Sequence, residues 1–232
     1  MTPWREPDQL SLAKLMAWLS PSYPVGAFSY SGGIEWAVET GDIASAATLE
    51  AWIAALLRDG GAFCDAVFFI HAYRAVNDEQ DATLRGVAEL AAAFTPSKER
   101  HLETTAQGRA FFDTTCKVWP CPALDRLARV WDGPIAYPIA VGVTCAGHDI
   151  PLPQALTAYL HALVANYISA GVRLVPLGQT DGQRVLAAMT PVIAETCERA
   201  LVARLNDVGG ATFRADLASL HHETQYTRLF RS

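Results

Sequence analysis

Apolar residues recur at three- and four-residue intervals along most of the chain, the pattern of amphipathic helices. In the first segment Leu12, Leu15, Met16 and Leu19 keep this spacing and stop at a proline turn. Where Ser or Thr precedes an apolar run, it is expected to cap the helix; Thr190, followed by Pro191, is the strongest such signal. The spacing predicts helices over 10–19, 46–59, 62–76, 82–94, 98–119, 122–131, 153–174, 180–189, 191–206 and 215–222.

Residues 137–147 are apolar on every side, as a central helix would be, although their β-branched residues also fit a buried strand. We prefer a helix, because no segment with the alternating pattern of a partner strand occurs in the sequence. The predicted fold is therefore all-α, a single-domain bundle of about ten helices over residues 1–223. A polar tail, residues 224–232, follows it.

Composition narrows the function classes. The 232 residues carry a net charge of −6, which argues against nucleic-acid binding, and 51% are hydrophobic while only 18% are charged. The longest apolar stretch, 155–170, is interrupted by polar residues, and residues 1–7 contain no apolar core of a signal peptide. A cytoplasmic protein whose apolar excess serves interfaces is expected.

Few residues suggest chemistry. The five cysteines are scattered without metal-ligand spacing and are expected to be buried. His221 and His222 are weak metal candidates, because adjacent helical residues point about 100° apart. No catalytic set and no cofactor loop can be nominated. One alternative stays open at this point: a helical enzyme with Cys145 as nucleophile.

Three segments stand out. Residues 20–35 (SPSYPVGAFSYSGGIE) form an aromatic, glycine-containing loop that fits either a core plug or a contact surface. Residues 173–183 (RLVPLGQTDGQ) form a polar turn that capping and turn formation explain. Residues 222–232 (HETQYTRLFRS) place Tyr226, Leu229 and Phe230 at three- and four-residue spacing. Because the tail is too short to fold alone, we expect it to order only against a partner.

Together these segments, in this order and spacing, resemble the urease accessory protein UreF family. YPIAVG at 137–142 and GRAF at 108–111 are secondary matches, so the resemblance spans the whole chain. Gly32 departs from the family pattern, which usually has a larger residue there.

The resemblance implies a non-enzymatic assembly factor without a cofactor. Members of this family are all-helical homodimers that bind the accessory protein UreD (also called UreH) and the GTPase UreG, and deliver nickel to the urease apoprotein. It also implies partner contacts in the first and third segments, through Phe28, Ser29, Tyr30, Glu35, Glu223, Gln225, Tyr226, Arg228, Leu229, Phe230 and Arg231. A chain truncated after Glu223 is accordingly expected to stay folded but lose its partners. A second alternative to the scaffold role stays open, a direct nickel carrier that uses His221 and His222.

Overall fold

A computed structural model describes residues 6–232 of the chain. The N-terminal residues 1–5, within the stretch predicted to carry no signal peptide, lie outside this range. Within the described residues the protein is all-helical, as predicted. The α-helices are α1 (Glu6–Trp18), α2 (Ile34–Glu39), α3 (Ala46–Asp59), α4 (Gly61–Asn77), α5 (Asp81–Ala93), α6 (Lys98–Val118), α7 (Pro122–Val130), α8 (Tyr137–Gly147), α9 (Leu152–Leu174), α10 (Gln179–Val202) and α11 (Phe213–His222). Short 3-10 helices span Ala27–Ser29 and Leu205–Asp207.

The central element is α8, which packs against α4, α6, α7 and α9. Its residues 138–146 are all buried, which confirms the helical interpretation of this apolar segment. At Gly142 an added Cβ would lie 2.7 Å from the carbonyl oxygen of Phe69. The absence of a side chain therefore lets the backbones of α8 and α4 approach closely in the middle of the core.

Two predicted caps are present. The Ser45 hydroxyl accepts a hydrogen bond from the Thr48 N–H (3.3 Å), and the Ser97 hydroxyl accepts one from the Arg100 N–H (3.1 Å). These bonds satisfy N–H groups that the first helical turn leaves without partners. The second cap fixes where α6 begins, and with it the position of Glu99.

The prediction was wrong at α10. Thr190 and Pro191 do not begin a helix but lie inside one that runs continuously from Gln179 to Val202. Val185, Met189 and Ile193 are buried on both sides of the proline. Packing of this face on α3 and α9 keeps the helix continuous, while Pro191 itself is exposed.

Helix α9 is long and apolar enough to cross a membrane by length and composition alone. Half of its most apolar 18-residue stretch is buried inside the protein, where α9 packs on α10, α4, α2 and α8. A core helix passes the same test. We therefore describe α9 as a core helix, and its C-terminal half supports the loop that precedes α2.

Candidate partner-binding site

The loop of residues 20–33 delivers Glu35 to the interior. Gly33, the N-cap of α2, has φ +85°, in the left-handed region that favours glycine. A Cβ at this position would lie 2.9 Å from the backbone nitrogen of Ser219 in α11. Glycine therefore allows α2 to begin directly against α11. In the first turn of α2, the Glu35 side chain meets the end of α11 and the tail.

The tail is ordered against this loop within a single chain. The Arg231 N–H donates to the Ser29 carbonyl (2.8 Å), and the Ser31 N–H donates to the Ser232 carbonyl (2.8 Å). Phe230 is only 4% exposed. The expectation that the tail orders only against a partner was therefore wrong. The reason is that backbone pairing and one buried aromatic ring supply contacts that helical spacing alone does not reveal.

Glu35 binds the backbone of the tail. Its two carboxylate oxygens accept hydrogen bonds from the N–H groups of Leu229 (2.6 Å) and Phe230 (2.9 Å). The second oxygen also lies 3.0 Å from Nε2 of His222. Since the carboxylate is buried, these three contacts replace the water it would otherwise bind.

A second carboxylate completes a cluster around His222. Glu99 Oε2 lies 2.6 Å from His222 Nδ1, and Glu99 Oε1 accepts a hydrogen bond from Arg228 Nη1 at 2.6 Å. The imidazole is completely buried. We call Glu35 and Glu99, with His222 between them, the carboxylate clamp. It joins α2, α6, α11 and the tail.

One turn further along α6, Glu103 holds the last residue of the tail. Its carboxylate accepts a hydrogen bond from the Ser232 hydroxyl (2.8 Å) and pairs with Arg100 (2.7 Å). Glu103 and Ser232 are buried, and the Arg100 side chain is 15% exposed. The tail is thus bound by buried carboxylates at both ends of its last five residues, Glu99 at Arg228 and Glu103 at Ser232.

Beside this network lies a cavity of about 300 Å³ lined by groups from α4, α6 and α11. Burial raises the pKa of the Asp65 carboxyl to about 6, although the Arg100 guanidinium opposes the shift. Burial likewise raises the pKa of the neighbouring Cys64 thiol to about 11. Both groups are therefore held towards their neutral forms.

The outer surface of the docked tail is apolar and cationic. Phe28, Tyr226 and Leu229 have 67%, 103% and 64% of their surface exposed. Arg173 donates to the Phe28 carbonyl (2.9 Å) and covers the Phe230 ring at 4.2 Å, and the Arg231 guanidinium lies 5.8 Å from the Tyr30 ring. We call Phe28, Arg173, Tyr226, Leu229 and Arg231 the tail face. Exposed aromatic and arginine side chains are typical of binding hot spots.

The residues expected to contact partners thus divide into two groups. The first group is at least partly exposed: Phe28, Tyr226, Arg228, Leu229 and Arg231 fully, Ser29 and Gln225 in part. The second group makes contacts inside the protein, through the buried residues Tyr30, Glu35 and Phe230. Glu223 also belongs to it, because its carboxylate accepts a hydrogen bond from the Lys98 N–H at the start of α6 (2.8 Å). Whether the exposed group binds a partner stays a prediction.

Sequence reasoning missed Glu99, Glu103, Arg173 and the structural use of His222. Glu99 and Glu103 stand in the first turns of α6, where acidic residues are ordinary companions of a helix N-terminus. Their partners lie more than 120 positions away in the sequence. The distinctive signal was the position of the two carboxylates on one helix face, which points to a shared neighbour but does not identify it.

The geometry favours neither the enzyme with Cys145 as nucleophile nor the nickel carrier that uses His221 and His222. Cys145 is completely buried, and burial raises its thiol pKa, whereas a nucleophilic cysteine needs a lowered one. His222 is engaged by two carboxylates, and His221 stacks on the Trp36 ring at 5.2 Å. In the part of the chain that the structure describes, no group of three or more His, Cys, Asp or Glu residues is arranged to hold a metal ion.

Known proteins resemble this chain over its whole length. The UreF family profile matches residues 43–190. A urease accessory protein UreF from Rhodopseudomonas palustris (strain HaA2) is 62% identical over 96% of this chain and 94% of its own. The chain belongs to the UreF family of urease accessory proteins. Its relatives include UreF from R. palustris (strain BisA53), 58% identical over the full length of both chains, and UreF from Bradyrhizobium sp. (strain ORS 278), 59% identical over 96% of this chain and 92% of its own.

Proposed function

We propose that this UreF-family protein is a non-enzymatic scaffold of urease maturation. In this role it joins UreD (UreH) and the GTPase UreG, and it helps to deliver nickel, as cargo, into the urease apoprotein while modulating the GTP-dependent assembly of the metal centre. It acts as a cytoplasmic homodimer. Family membership supports the pathway, and the tail face supports the scaffold role.

The tail face is the observation that carries the proposal. The chain has a net charge of −6, yet this surface joins two guanidinium groups to three exposed apolar side chains. Hydrogen bonds and a buried aromatic ring fix it in shape before any partner arrives. Pre-ordering lowers the entropy cost of association, so such a surface is suited to binding. We propose residues 224–232 as a partner-binding segment seated on a helical domain of residues 1–223.

Co-purification tests this assignment. The tagged full-length protein is co-expressed with UreD and UreG, and the double variant Tyr226→Ser/Leu229→Ser is compared with the native chain. Because both side chains are exposed, we expect unchanged stability and at least a tenfold loss of one or both partners. Size-exclusion chromatography with light scattering reports the oligomeric state in the same samples.

Val118→Ser is the matched control. The exposed fraction of Val118, 62%, is similar to the 64% of Leu229. Val118 is the last residue of α6, about 28 Å along the helix from Glu99 by the 1.5 Å rise per residue, and so lies far from the tail face. It should leave assembly unchanged. If the double variant retains both partners at native levels, the tail face is not the binding site. If the native chain binds neither protein, the scaffold proposal is wrong.

A further inference from the structure

The cavity of about 300 Å³ between α4, α6 and α11 contains two carboxylates, Asp65 from α4 and Asp216 from the first turn of α11. Among the ion pairs of residues 6–232 none includes either of them, and Arg100, the cation beside both, is paired with Glu103 at 2.7 Å. Next to Asp65, the buried Tyr159 hydroxyl has no hydrogen-bond partner within the same residues. The polar groups of the cavity are therefore incompletely satisfied by the protein itself.

Both carboxylates are unfavourable to folding in their charged form. Burial raises the pKa of Asp65 to about 6 and raises that of Asp216 as well, although Arg100 opposes both shifts. At neutral pH the Asp65 carboxyl is still mostly ionised. Ionisable groups that are kept in a cavity at a cost to stability are typical of binding sites. We therefore looked for a ligand that would supply the missing donors.

The rest of the cavity is mostly apolar and is open at one end. Leu56, Ala91 and Ala215 form buried walls. The exposed lining residues mark the mouth, and none of them is charged: Gly61, Ala93, Phe94, Pro96 and Gly210. A ligand that enters between the start of α4, the α5–α6 connection and the loop before α11 thus meets apolar surface first and the carboxylates behind it.

These features select the chemistry of the ligand. An anion would be repelled by Asp65 and Asp216, and a hydrated inorganic ion would place its water against apolar walls. A protonated aliphatic amine carries three N–H donors, which suit carboxylate acceptors. Its alkyl stem can lie along the walls, and the Phe94 ring at the mouth is a favourable neighbour for a cation.

We propose that this cavity is a binding site for a small aliphatic amine in its protonated form, in which Asp65 and Asp216 bind the ammonium group. None of the residues that form its mouth belongs to the tail face. The inference therefore stands apart from the proposed scaffold function and concerns the isolated chain.

Titration of the full-length protein with n-butylammonium chloride at pH 7.5 tests the proposal. Proton–nitrogen-15 correlation spectra report binding, and sodium chloride keeps the ionic strength constant. We expect saturable shifts of backbone amides that line the cavity, Cys64, Thr95 and Asp216 among them. Butan-1-ol has the same stem without the charge, so it should bind more weakly than the amine by a factor of about ten or more.

The variants Asp65→Asn and Asp216→Asn remove one charge each while keeping the shape of the side chain. Each should weaken binding of the amine by a factor of about ten or more. Asp132→Asn is the matched control, because Asp132 is exposed and does not line the cavity, and it should bind the amine as the native chain does.

The proposal is wrong if the amine causes no saturable shifts, or if Asp65→Asn binds it with native affinity. Equal affinities of the native chain for butan-1-ol and the amine would also overturn it, and this comparison decides the matter if a variant does not fold. No partner protein is present in these titrations, so their failure leaves the co-purification test standing, and the converse also holds.

Discussion

Single residues show that this protein keeps ionisable groups inside for different reasons. Glu35 and Glu99 accept hydrogen bonds from several donors, and each contact fixes another element in place. Asp65 is different, because burial raises its pKa to about 6 and the nearby Arg100 only partly opposes this. Ionisation of Asp65 is therefore unfavourable to folding at neutral pH. The carboxylate clamp, by contrast, joins α2, α6, α11 and the tail.

Asp65→Asn should stabilise the protein in a pH-dependent way. An unfolded aspartate ionises near pH 3.9, so the folded state binds the extra proton between about pH 4 and 6, and native stability falls over that interval. The asparagine variant avoids this loss. We expect it to be more stable than the native chain by about 1–2 kcal/mol at pH 7.5, after allowance for partial solvent access, and nearly equal at pH 4.

Urea unfolding at the two pH values measures the difference. Asp132→Asn is the control, because Asp132 is exposed in the loop after α7 and should change stability little at either pH. An Asp65→Asn variant that is less stable than the native protein at pH 7.5 would mean that the attraction to Arg100 outweighs the cost of burial.

Among the helices, predictability followed the strength of the local pattern. Regular apolar spacing located most helices, and Ser45 and Ser97 marked two of the beginnings. The apolar spacing did not predict α2, because its six residues are too few to show a helical period. Its N-cap is Gly33, where a side chain would collide with α11, and this long-range contact leaves no local signal. Thr190 and Pro191 carry a local signal for the start of a helix, and this signal misled the prediction. The apolar face formed by Val185, Met189 and Ile193 continues past Pro191 and keeps α10 in one piece.

The site was predictable only in part. The family resemblance implied Glu35 and Phe230 as partner contacts, but it did not show that they contact each other, because they are 195 positions apart. Helical spacing describes contacts within one element and contains no information about which elements meet. The burial of Phe230 and the position of His222 between two carboxylates depend on how α2, α6 and α11 converge, so only the folded chain reveals them.

The argument that packing of its apolar face keeps α10 continuous through Pro191 can be tested. Proline lacks an N–H, so Pro191 leaves the carbonyl of Ala187 without its helical partner, a cost of about 3 kcal/mol inside a typical helix. Both residues are exposed, and water reduces the cost. Pro191→Ala should therefore stabilise the protein by about 1–3 kcal/mol, measured by urea unfolding.

Gln183→Ala, another exposed change in α10, should alter stability by less than about 0.5 kcal/mol. A destabilised Pro191→Ala variant would contradict the expectation and would show that the proline sets the direction in which Val192 and Ile193 enter the core.

At the scale of the whole molecule, the tail is part of the folded unit and also carries the surface proposed for partners. Phe230 fills the interior, Ser232 is bound by Glu103, and Leu229 and Phe230 supply donors to Glu35. The contacts that fold this segment and the surface proposed for binding therefore belong to the same nine residues. A deletion would remove both functions at once, whereas substitution of Tyr226 and Leu229 changes only exposed side chains.

A chain truncated after Glu223 should consequently lose stability, contrary to what the sequence alone suggested. The deletion removes a buried aromatic side chain and leaves the Glu35, Glu99 and Glu103 carboxylates short of donors. Each loss is worth about 1–3 kcal/mol, so the sum reaches a large part of the 5–15 kcal/mol that typically separates folded from unfolded domains. Urea unfolding should show a lower midpoint for the truncated chain than for Tyr226→Ser/Leu229→Ser, which should match the native protein. Equal midpoints for the truncated and native chains would mean that the tail contributes nothing to the fold, and the loss of partners on truncation could then be attributed to binding alone.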